Sequence, residues 1–299
     1  MASLLGLIFI FSGYTKLFPV ELFEYTFIDI GVGGWKTAPF LARLLIGLEF
    51  FVGILLLLNF RLKKFTLKGA IGLLIAFTIY LLWLIIIEGN QGNCKCFGNA
   101  IYMTPLESIW KNLIMIGILF LLYRFHPQFH WRFQKIIIIV ALLASIATPF
   151  VLNPVDLNVA ARMQDDAANY AVDLSPLYYQ EDYPPPKEDL SKGKHIIAFM
   201  SLTCRHCRLA GYKMHVIAKR NPEIPFFLVL NGDDSMLEDF FTDTKASDIP
   251  YTMLLGENFI NLAGVRLPAI LWVEDSLVIR KTNYLAMEEE DIINWLNRE

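Results

Sequence analysis

Five apolar runs crowd the first 152 residues: Leu4–Phe18, Phe40–Phe60, Leu67–Ile87, Leu106–Tyr123 and Ile136–Leu152. A helix needs about 20 apolar residues to cross a bilayer, within a range of about 17–25. The middle runs meet this comfortably. The first is short, and only Met-Ala-Ser precedes it, which is compatible with a start further upstream. It has no basic leader and no small-residue cleavage site, so it reads as an uncleaved helix rather than a signal peptide.

Composition agrees and then divides the chain. Of 299 residues, 55% are hydrophobic and 18% charged, with a mean hydropathy of +0.46, too apolar for an ordinary soluble domain. Up to Leu152 there are twelve Lys and Arg against six Asp and Glu; from Asn153 onward there are fourteen against twenty-three. An apolar, basic half followed by a polar, acidic half reads as a membrane domain plus a soluble domain. The soluble part has no Lys/Arg-rich patch, which argues against nucleic acid.

Loop charges orient the helices. Arg61, Lys63, Lys64 and Lys68 lie between the second and third runs, and Arg124, Arg132 and Lys135 between the fourth and fifth; the alternate loops carry Lys16, Lys36 and Lys95. The positive-inside rule puts the first set in the cytoplasm. The N-terminus is then cytoplasmic. The long Phe18–Pro39 loop, the Cys94–Cys96 loop and everything after Leu152 lie outside. All four cysteines share the oxidising compartment. His126 and His130 have helical ligand spacing, but Pro127 and the aromatic and basic neighbours favour an interfacial belt over a metal site.

Polar residues inside spans need a reason. Arg43 and Glu49 lie on the second run, Lys111 and Asn112 about one turn into the fourth, and Lys16 closes the first. In the assigned orientation all fall in the outer half of the bilayer, near the Cys94–Cys96 loop. One reading is snorkelling plus an internal ion pair that fixes helix packing. The other is a pocket in which Arg43, Glu49 and Lys111 hold a quinone-like electron acceptor.

GLIFIFSGYTKLF (6–18), ARLLIGLEFFVGILLLL (42–58) and CKCFGNAIYMTPLESIWKNLIMIGILFLLY (94–123) resemble the DoxX/MauE-like membrane family, the Cys-x-Cys-Phe-Gly element being the most specific part. The resemblance covers about the first half of the chain. It implies a four-helix membrane bundle with a redox role: MauE-type members resemble factors for disulfide formation in an exported enzyme, and DoxD-type relatives are linked to quinone.

Asn153–Lys194 has no sustained apolar pattern. Pro184–Pro186 predicts an extended, semi-rigid spacer, and Val155–Tyr170 has room for a short surface helix. From His195 strand and helix signals alternate. HIIAFMS (195–201), PFFLVLNG (225–232) and TMLL (252–255) read as strands, and AILWVED with SLVIRKT as a hairpin turning near Glu274–Ser276. Helical segments are expected at Arg208–Asn221, Ser235–Thr244, Asn258–Gly264 and Glu288–Asn297. This order resembles the thioredoxin fold. The predicted architecture is an α-helical membrane bundle of about five spanning helices (1–152), an extracytoplasmic Pro-containing linker (153–194) and an α/β thioredoxin-like domain (195–299).

Cys204-Arg-His-Cys207 falls between the first of those strands and a helix. A helix N-terminus stabilises an anion, so Cys204 is expected as the reactive thiolate. Cys207, one turn deeper, can resolve a mixed disulfide. Arg205 and His206 add positive charge, which favours the reduced form and makes the disulfide more oxidising, as His in this position does in protein disulfide isomerase. Leu267-Pro268 matches the cis-proline position of the fold, where exposed backbone pairs with a substrate chain. Ala198 stands where thioredoxin has a buried Asp, and the accompanying Lys is not evident. A static disulfide or half a zinc site is the plain alternative for this pair. His195 and His215 read as structural or exposed.

Cys94 and Cys96 supply two ligands, where structural zinc takes four; Cu(I) accepts two thiolates. A bridge across one intervening residue closes almost no loop, so it is a poor staple, and a strained ring of that size is easily reduced. Gly92 and Gly98 are expected to free the loop to present it. The economical reading is a relay. Cys204 and Cys207 exchange disulfides with exported thiol-containing clients. Electrons then pass to Cys94 and Cys96 and on to a membrane quinone. No cysteine lies in the spans, which favours net oxidation or isomerisation of clients. The expected setting is a bacterial cytoplasmic membrane with the thioredoxin-like domain on the periplasmic side. A copper-handling membrane module and a non-catalytic assembly factor for an exported enzyme are the competing classes.

Overall fold

Two units divide the chain, Met1–Val155 and Asp156–Glu299. The computed structural model describes residues 1–60, 65–90, 93–98, 100–125, 134–156, 167–180 and 183–298. Arg61, Lys63, Lys64, Gly92, His126, His130 and Arg132 lie outside the described residues.

The first unit is helical: α1 (Ala2–Leu17), α2 (Glu21–Asp29), α3 (Ala38–Leu57), α4 (Leu67–Glu88), α5 (Pro105–Phe125) and α6 (Gln134–Leu152). Among the described residues α3 to α6 are each long and apolar enough to cross a membrane. The α1–α2 pair, bent by 87°, makes a fifth span if counted as one. Glycines let α3 approach its neighbours closely. A Cβ on Gly53 would lie 2.9 Å from the Gly6 carbonyl oxygen of α1, and one on Gly47 would lie 2.9 Å from Ile146 Cα of α6. Hydrocarbon gives helices no hydrophobic drive to associate, so close contact at small residues takes its place. Leu5 and Phe9 of α1, Val52 and Leu56 of α3, Leu74 of α4 and Met115 of α5 share one buried cluster.

The Phe18–Pro39 segment is not an open loop as expected. It holds α2, which begins just after the Phe18–Pro19 peptide. Leu22, Tyr25 and Ile28, three residues apart, form its buried stripe. Glu21 and Glu24 sit in its first turn, where the helix dipole favours negative charge.

The second unit is built on one six-stranded sheet. Its elements are β1 (Ala167–Ala171), β2 (Lys194–Ser201), α7 (Arg205–Arg220), β3 (Phe226–Asn231), α8 (Leu237–Thr244), β4 (Tyr251–Met253), α9 (Gly256–Ala263), β5 (Ala269–Glu274), β6 (Leu277–Thr282) and α10 (Glu289–Leu296). The order is β1-β6-β5-β2-β3-β4. β2, β3 and β4 run parallel, and β5 runs antiparallel to β2 and to β6. Ile196–Met200 of the central β2 are all buried, as a strand covered on both faces requires. The β5–β6 hairpin turns at Asp275 and Ser276, both with positive φ, the twist that two-residue hairpin loops need. This central strand–helix–strand core with its antiparallel hairpin is thioredoxin-like.

Most of the expected linker belongs to this sheet unit. β1 pairs antiparallel with β6, where a surface helix was expected up to Tyr170. Leu174, Leu177 and Leu190 are buried in one cluster with Phe199 and Leu271. Tyr178 Oη donates to the Glu188 carbonyl at 2.8 Å and accepts from Leu190 N at 2.7 Å. The Pro184 carbonyl accepts from Thr252 Oγ1 of β4 at 3.1 Å, so the proline run is docked rather than a free spacer. The boundary moves from 195 to 156 because a few well-separated leucines find a long-range core.

Candidate functional site

The CRHC pair takes its geometry from the start of α7. Cys204 is the N-cap residue, extended at φ −79° and ψ 119°, and its Sγ accepts from Cys207 N at 3.4 Å. Cys207 lies inside the first turn and is 0% exposed. Its Sγ accepts from Ser201 N at 3.4 Å. Burial pushes the Cys207 thiol up, and its hydrogen bond to Cys204 pushes the same way. The pair therefore has one half-buried sulfur and one sealed sulfur held as a thiol.

Arg205 and His206 are the first exposed residues of α7. The His206 ring stacks on Tyr284, centroids 6.1 Å apart. Lys213, buried on α7, donates to the Tyr284 carbonyl at 2.7 Å and so anchors that ring's backbone. Arg208 ties α7 to α8 through Asp239 at 2.7 Å and Asp243 at 2.5 Å, and donates to the Leu202 carbonyl at 3.1 Å. The Leu267–Pro268 peptide is cis. Pro268 adjoins Ala269, which pairs with Phe199 near the end of β2 that leads to Cys204. Ala198 is fully buried opposite Ile270, so an apolar contact occupies the position where thioredoxin has an Asp.

The CKC pair has no helix to organise it. Cys94 N donates to the Met103 carbonyl at 2.9 Å, and Cys94 Sγ shares a 2.9 Å hydrogen bond with Ser108 Oγ of α5. Cys94 is 4% exposed, whereas Cys96 is half-buried. Cys96 N donates to Cys94 Sγ at 3.4 Å, and the Cys96 carbonyl accepts from Ser12 Oγ of α1 at 3.2 Å. Gly98, at φ +56°, is not a source of freedom as expected. A Cβ there would lie 2.3 Å from the Thr15 carbonyl oxygen, so the glycine lets the loop clamp onto α1. A hydrogen bond from Cys94 and the charges of Lys111 and Lys16 pull the Cys96 thiol down to about 6, against the cost of burial. Cys94 moves the other way, raised by that bond and by burial. All four cysteines are free thiols here.

Both cysteines of this loop line a cavity of about 260 Å³ inside the first unit, with Lys16, Glu49, Lys111 and Asn112 among its polar residues. Phe23 and Phe27 of α2 close one side. Lys16 forms an ion pair with Glu49 and bonds Ser12 Oγ at 3.0 Å. Glu49 is 1% exposed, and its Oε2 has no hydrogen-bond partner among the described residues. Asn112 Nδ2 donates to Thr78 Oγ1 at 3.2 Å. The Lys16–Glu49 ion pair thus lies in the wall of the same cavity as Lys111. Arg43 is the exception. Its guanidinium binds Glu24 at 2.5 Å, the Pro39 carbonyl at 2.8 Å and the Asn153 carbonyl at 2.6 Å. It fastens α3 to α2 and to the end of α6, and it does not line the cavity.

Ser12, Ser108, Lys213 and Tyr284 were not singled out from the sequence. Two carried a signal: Ser12 and Lys16, and Ser108 and Asn112, stand four apart on one helix face. Lys213 and Tyr284 are 71 residues apart and carried none.

Residues 1–125 match the family model described as methylamine utilisation protein MauE. This part of the chain is a MauE domain. The match narrows the expected DoxX/MauE-like resemblance to MauE, and the MauE domain contains the CKC loop and every polar group of the cavity. Protein TlpB of Flavobacterium psychrophilum is 26% identical over 307 residues, covering 87% of this chain and 83% of that protein. Among solved structures, a secreted Mycobacterium tuberculosis disulfide oxidoreductase homologous to E. coli DsbE is 15% identical, covers 35% of this chain and 80% of that one, and has a TM-score of 0.28. M. tuberculosis DsbF is 15% identical over 35% of this chain and 78% of its own, with a TM-score of 0.30. The thioredoxin domain of a thiol-disulfide oxidoreductase from Bacteroides vulgatus is 12% identical over 36% and 81%, at 0.29. The thioredoxin-like character of the second unit rests on its sheet order and on the placement of CRHC.

Proposed function

We propose that the chain is a membrane-bound thiol–disulfide oxidoreductase that oxidises exported client proteins and passes the electrons inward. The observation that carries this reading is a shared asymmetry: each cysteine pair has one half-buried residue, Cys204 or Cys96, and one buried residue, Cys207 or Cys94. An accessible sulfur can be attacked or attack, and a buried neighbour can resolve the mixed disulfide.

A client thiolate attacks Cys204 of the Cys204–Cys207 disulfide and releases Cys207. A second client thiol then displaces Cys204, leaving a client disulfide and two reduced cysteines. Cys204 next attacks Cys96 of a Cys94–Cys96 disulfide, releasing Cys94 beside Ser108. Cys207 resolves the mixed disulfide, so CRHC is again oxidised and CKC holds two electrons and two protons as a dithiol. Both pairs belong to one chain, which makes this exchange intramolecular and raises the effective concentration. The loop charges support an outside location for the CKC loop and the second unit, in a bacterial cytoplasmic membrane.

The cavity fits a quinone as the final acceptor. Lys111 offers a donor to a quinone carbonyl oxygen, and the orphaned Glu49 Oε2 can accept from a hydroxyl of the quinol that reduction produces. A quinone supplies a lipid-soluble two-electron, two-proton acceptor. Glu49 and Lys111 would hold its polar groups, Cys94 and Cys96 would face it, and the apolar wall excludes water.

The test is turnover in proteoliposomes with a reduced dithiol peptide and added quinone. Cys204→Ser is expected to abolish peptide oxidation. Cys94→Ser is expected to leave one stoichiometric oxidation by preformed Cys204–Cys207 disulfide and no further turnover. Full turnover in Cys204→Ser protein would favour a non-catalytic assembly role.

A further inference from the structure

The cavity does not stand alone in the MauE domain. A wider hollow of about 780 Å³ lies beside it, between α1 and α5. The two share Ile8, Phe97, Lys111 and Met115 in their walls. The outer hollow is apolar and open: Leu4 and Leu7 of α1 and Trp110 and Ile114 of α5 line it and are all more than half exposed, on the surface that a bilayer would cover. Phe97 is buried at the junction. Its ring lies 5.9 Å from that of Phe11 and 4.2 Å below Lys111 Nζ.

Size separates the roles of the two hollows. The inner one, about 260 Å³, falls just below the roughly 300–1,000 Å³ usual for small-ligand sites. It has room for a head group and not for a long chain. It also holds the unmet polar demand, since Glu49 Oε2 has no partner among the described residues. The outer hollow has the opposite character and meets the hydrocarbon.

We propose that the two hollows form one bipartite site for a lipid-borne ligand, with a polar ring held in the inner cavity and its hydrocarbon tail lying in the α1–α5 groove, Phe97 standing between them. The proposal rests on the reading of the cavity as the acceptor site and adds the route: entry sideways from the bilayer rather than from water. As a quinone the head accepts from Lys111; as a quinol its hydroxyl donates to Glu49 Oε2. The tail replaces phospholipid chains along Leu7 and Ile114.

Full-length protein in phosphatidylcholine nanodiscs tests this with two probes, 2,3-dimethoxy-5-methylbenzoquinone and its decyl-tailed analogue. Binding is read as quenching of Trp110 fluorescence, with Trp110→Phe protein subtracting the other tryptophans. Ile114→Phe, and independently Leu7→Phe from the facing helix, fill the groove without altering partition of the probes into lipid. Each is expected to weaken the decyl analogue about tenfold, the loss that a few unburied methylenes produce, and to leave the tail-less ring unchanged. Lys111→Met, which removes the donor to the ring carbonyl, is expected to weaken both probes alike. Equal binding of the decyl analogue to wild type and both filled variants overturns the groove while leaving the acceptor reading intact. Loss of both probes in the filled variants also overturns it, because the groove would then have no tail-specific role. Failure of both probes to bind wild type overturns the groove and the acceptor reading together.

Discussion

Cys204 and Cys207 take their unequal exposure from a helix end, whereas Cys94 and Cys96 take theirs from neighbours on α1 and α5. In the sheet unit, β2 delivers the chain to an N-cap, and three residues of helical spacing carry the second sulfur under the first turn. In the MauE domain the two cysteines are only two positions apart, and no helix turns beneath them. Ser108 holds one sulfur inside, while Ser12, Gly98 and two lysines arrange the other. The comparison teaches that an accessible and a buried sulfur can be set apart either by backbone periodicity or by side chains from elsewhere. The first arrangement is local and robust. The second depends on residues far away in sequence, and substitutions at those residues distinguish the two.

The largest effect is expected from Gly98→Ala. The added Cβ meets the Thr15 carbonyl at 2.3 Å from a positive-φ position, so the loop must leave α1 at a cost of about 2–4 kcal/mol. Thermal denaturation should report a destabilised MauE domain and alkylation an exposed Cys94, with Cys204 reactivity unchanged. If Cys94 stays protected, the clamp onto α1 is not what seats the pair.

Next is Lys213→Met, which tests the sheet unit. It removes the buried donor to the Tyr284 carbonyl, at a cost of about 1–3 kcal/mol. Loss of the anchor should also loosen the ring stacked on His206 and shift the reduction potential of CRHC, read by equilibration with glutathione. The CKC pair should not respond. A destabilised unit with an unchanged potential would make Lys213 purely structural.

Smaller still is Lys111→Met. Wild-type Cys96 should alkylate with a half-maximal rate near pH 6, set by its thiol at about 6. Positive charge favours the thiolate, so removing it raises that midpoint. A rise of one unit lowers reactivity about tenfold at any pH below the original midpoint and has little effect well above the new one. An unmoved profile would leave the Cys94 and Ser108 hydrogen bonds and Lys16 as the causes.

The same contrast governs what could be read from the amino acids. HIIAFMS and its partner strands were legible because a central parallel strand is a continuous apolar run, and CRHC was legible because the run ends there. The spanning helices announced themselves by length. α2 did not, since nine residues with three acids fit neither a spanning run nor an ordinary loop. β1 and the buried Leu174, Leu177 and Leu190 were hidden because each is isolated, and only β6 and the distant core give them a place. Arg43 looked like Glu49 and Lys111, a charge in an apolar run. What assigns it to packing is Glu24 on an unforeseen helix and a carbonyl 110 residues away.

The central claim is that the two pairs exchange with each other. Full-length protein carrying Cys94→Ser and Cys207→Ser lacks both resolving sulfurs; glutathione disulfide, added as the oxidant, forms a mixed disulfide at one remaining cysteine, the other thiolate displaces glutathione from it, and the resulting bond cannot be resolved within the chain. After acid quenching in native membranes, peptide mapping without reductant should find Cys96 joined to Cys204. Finding both sulfurs free and alkylatable, in this protein and in the reciprocal Cys96→Ser/Cys207→Ser protein, would contradict the relay.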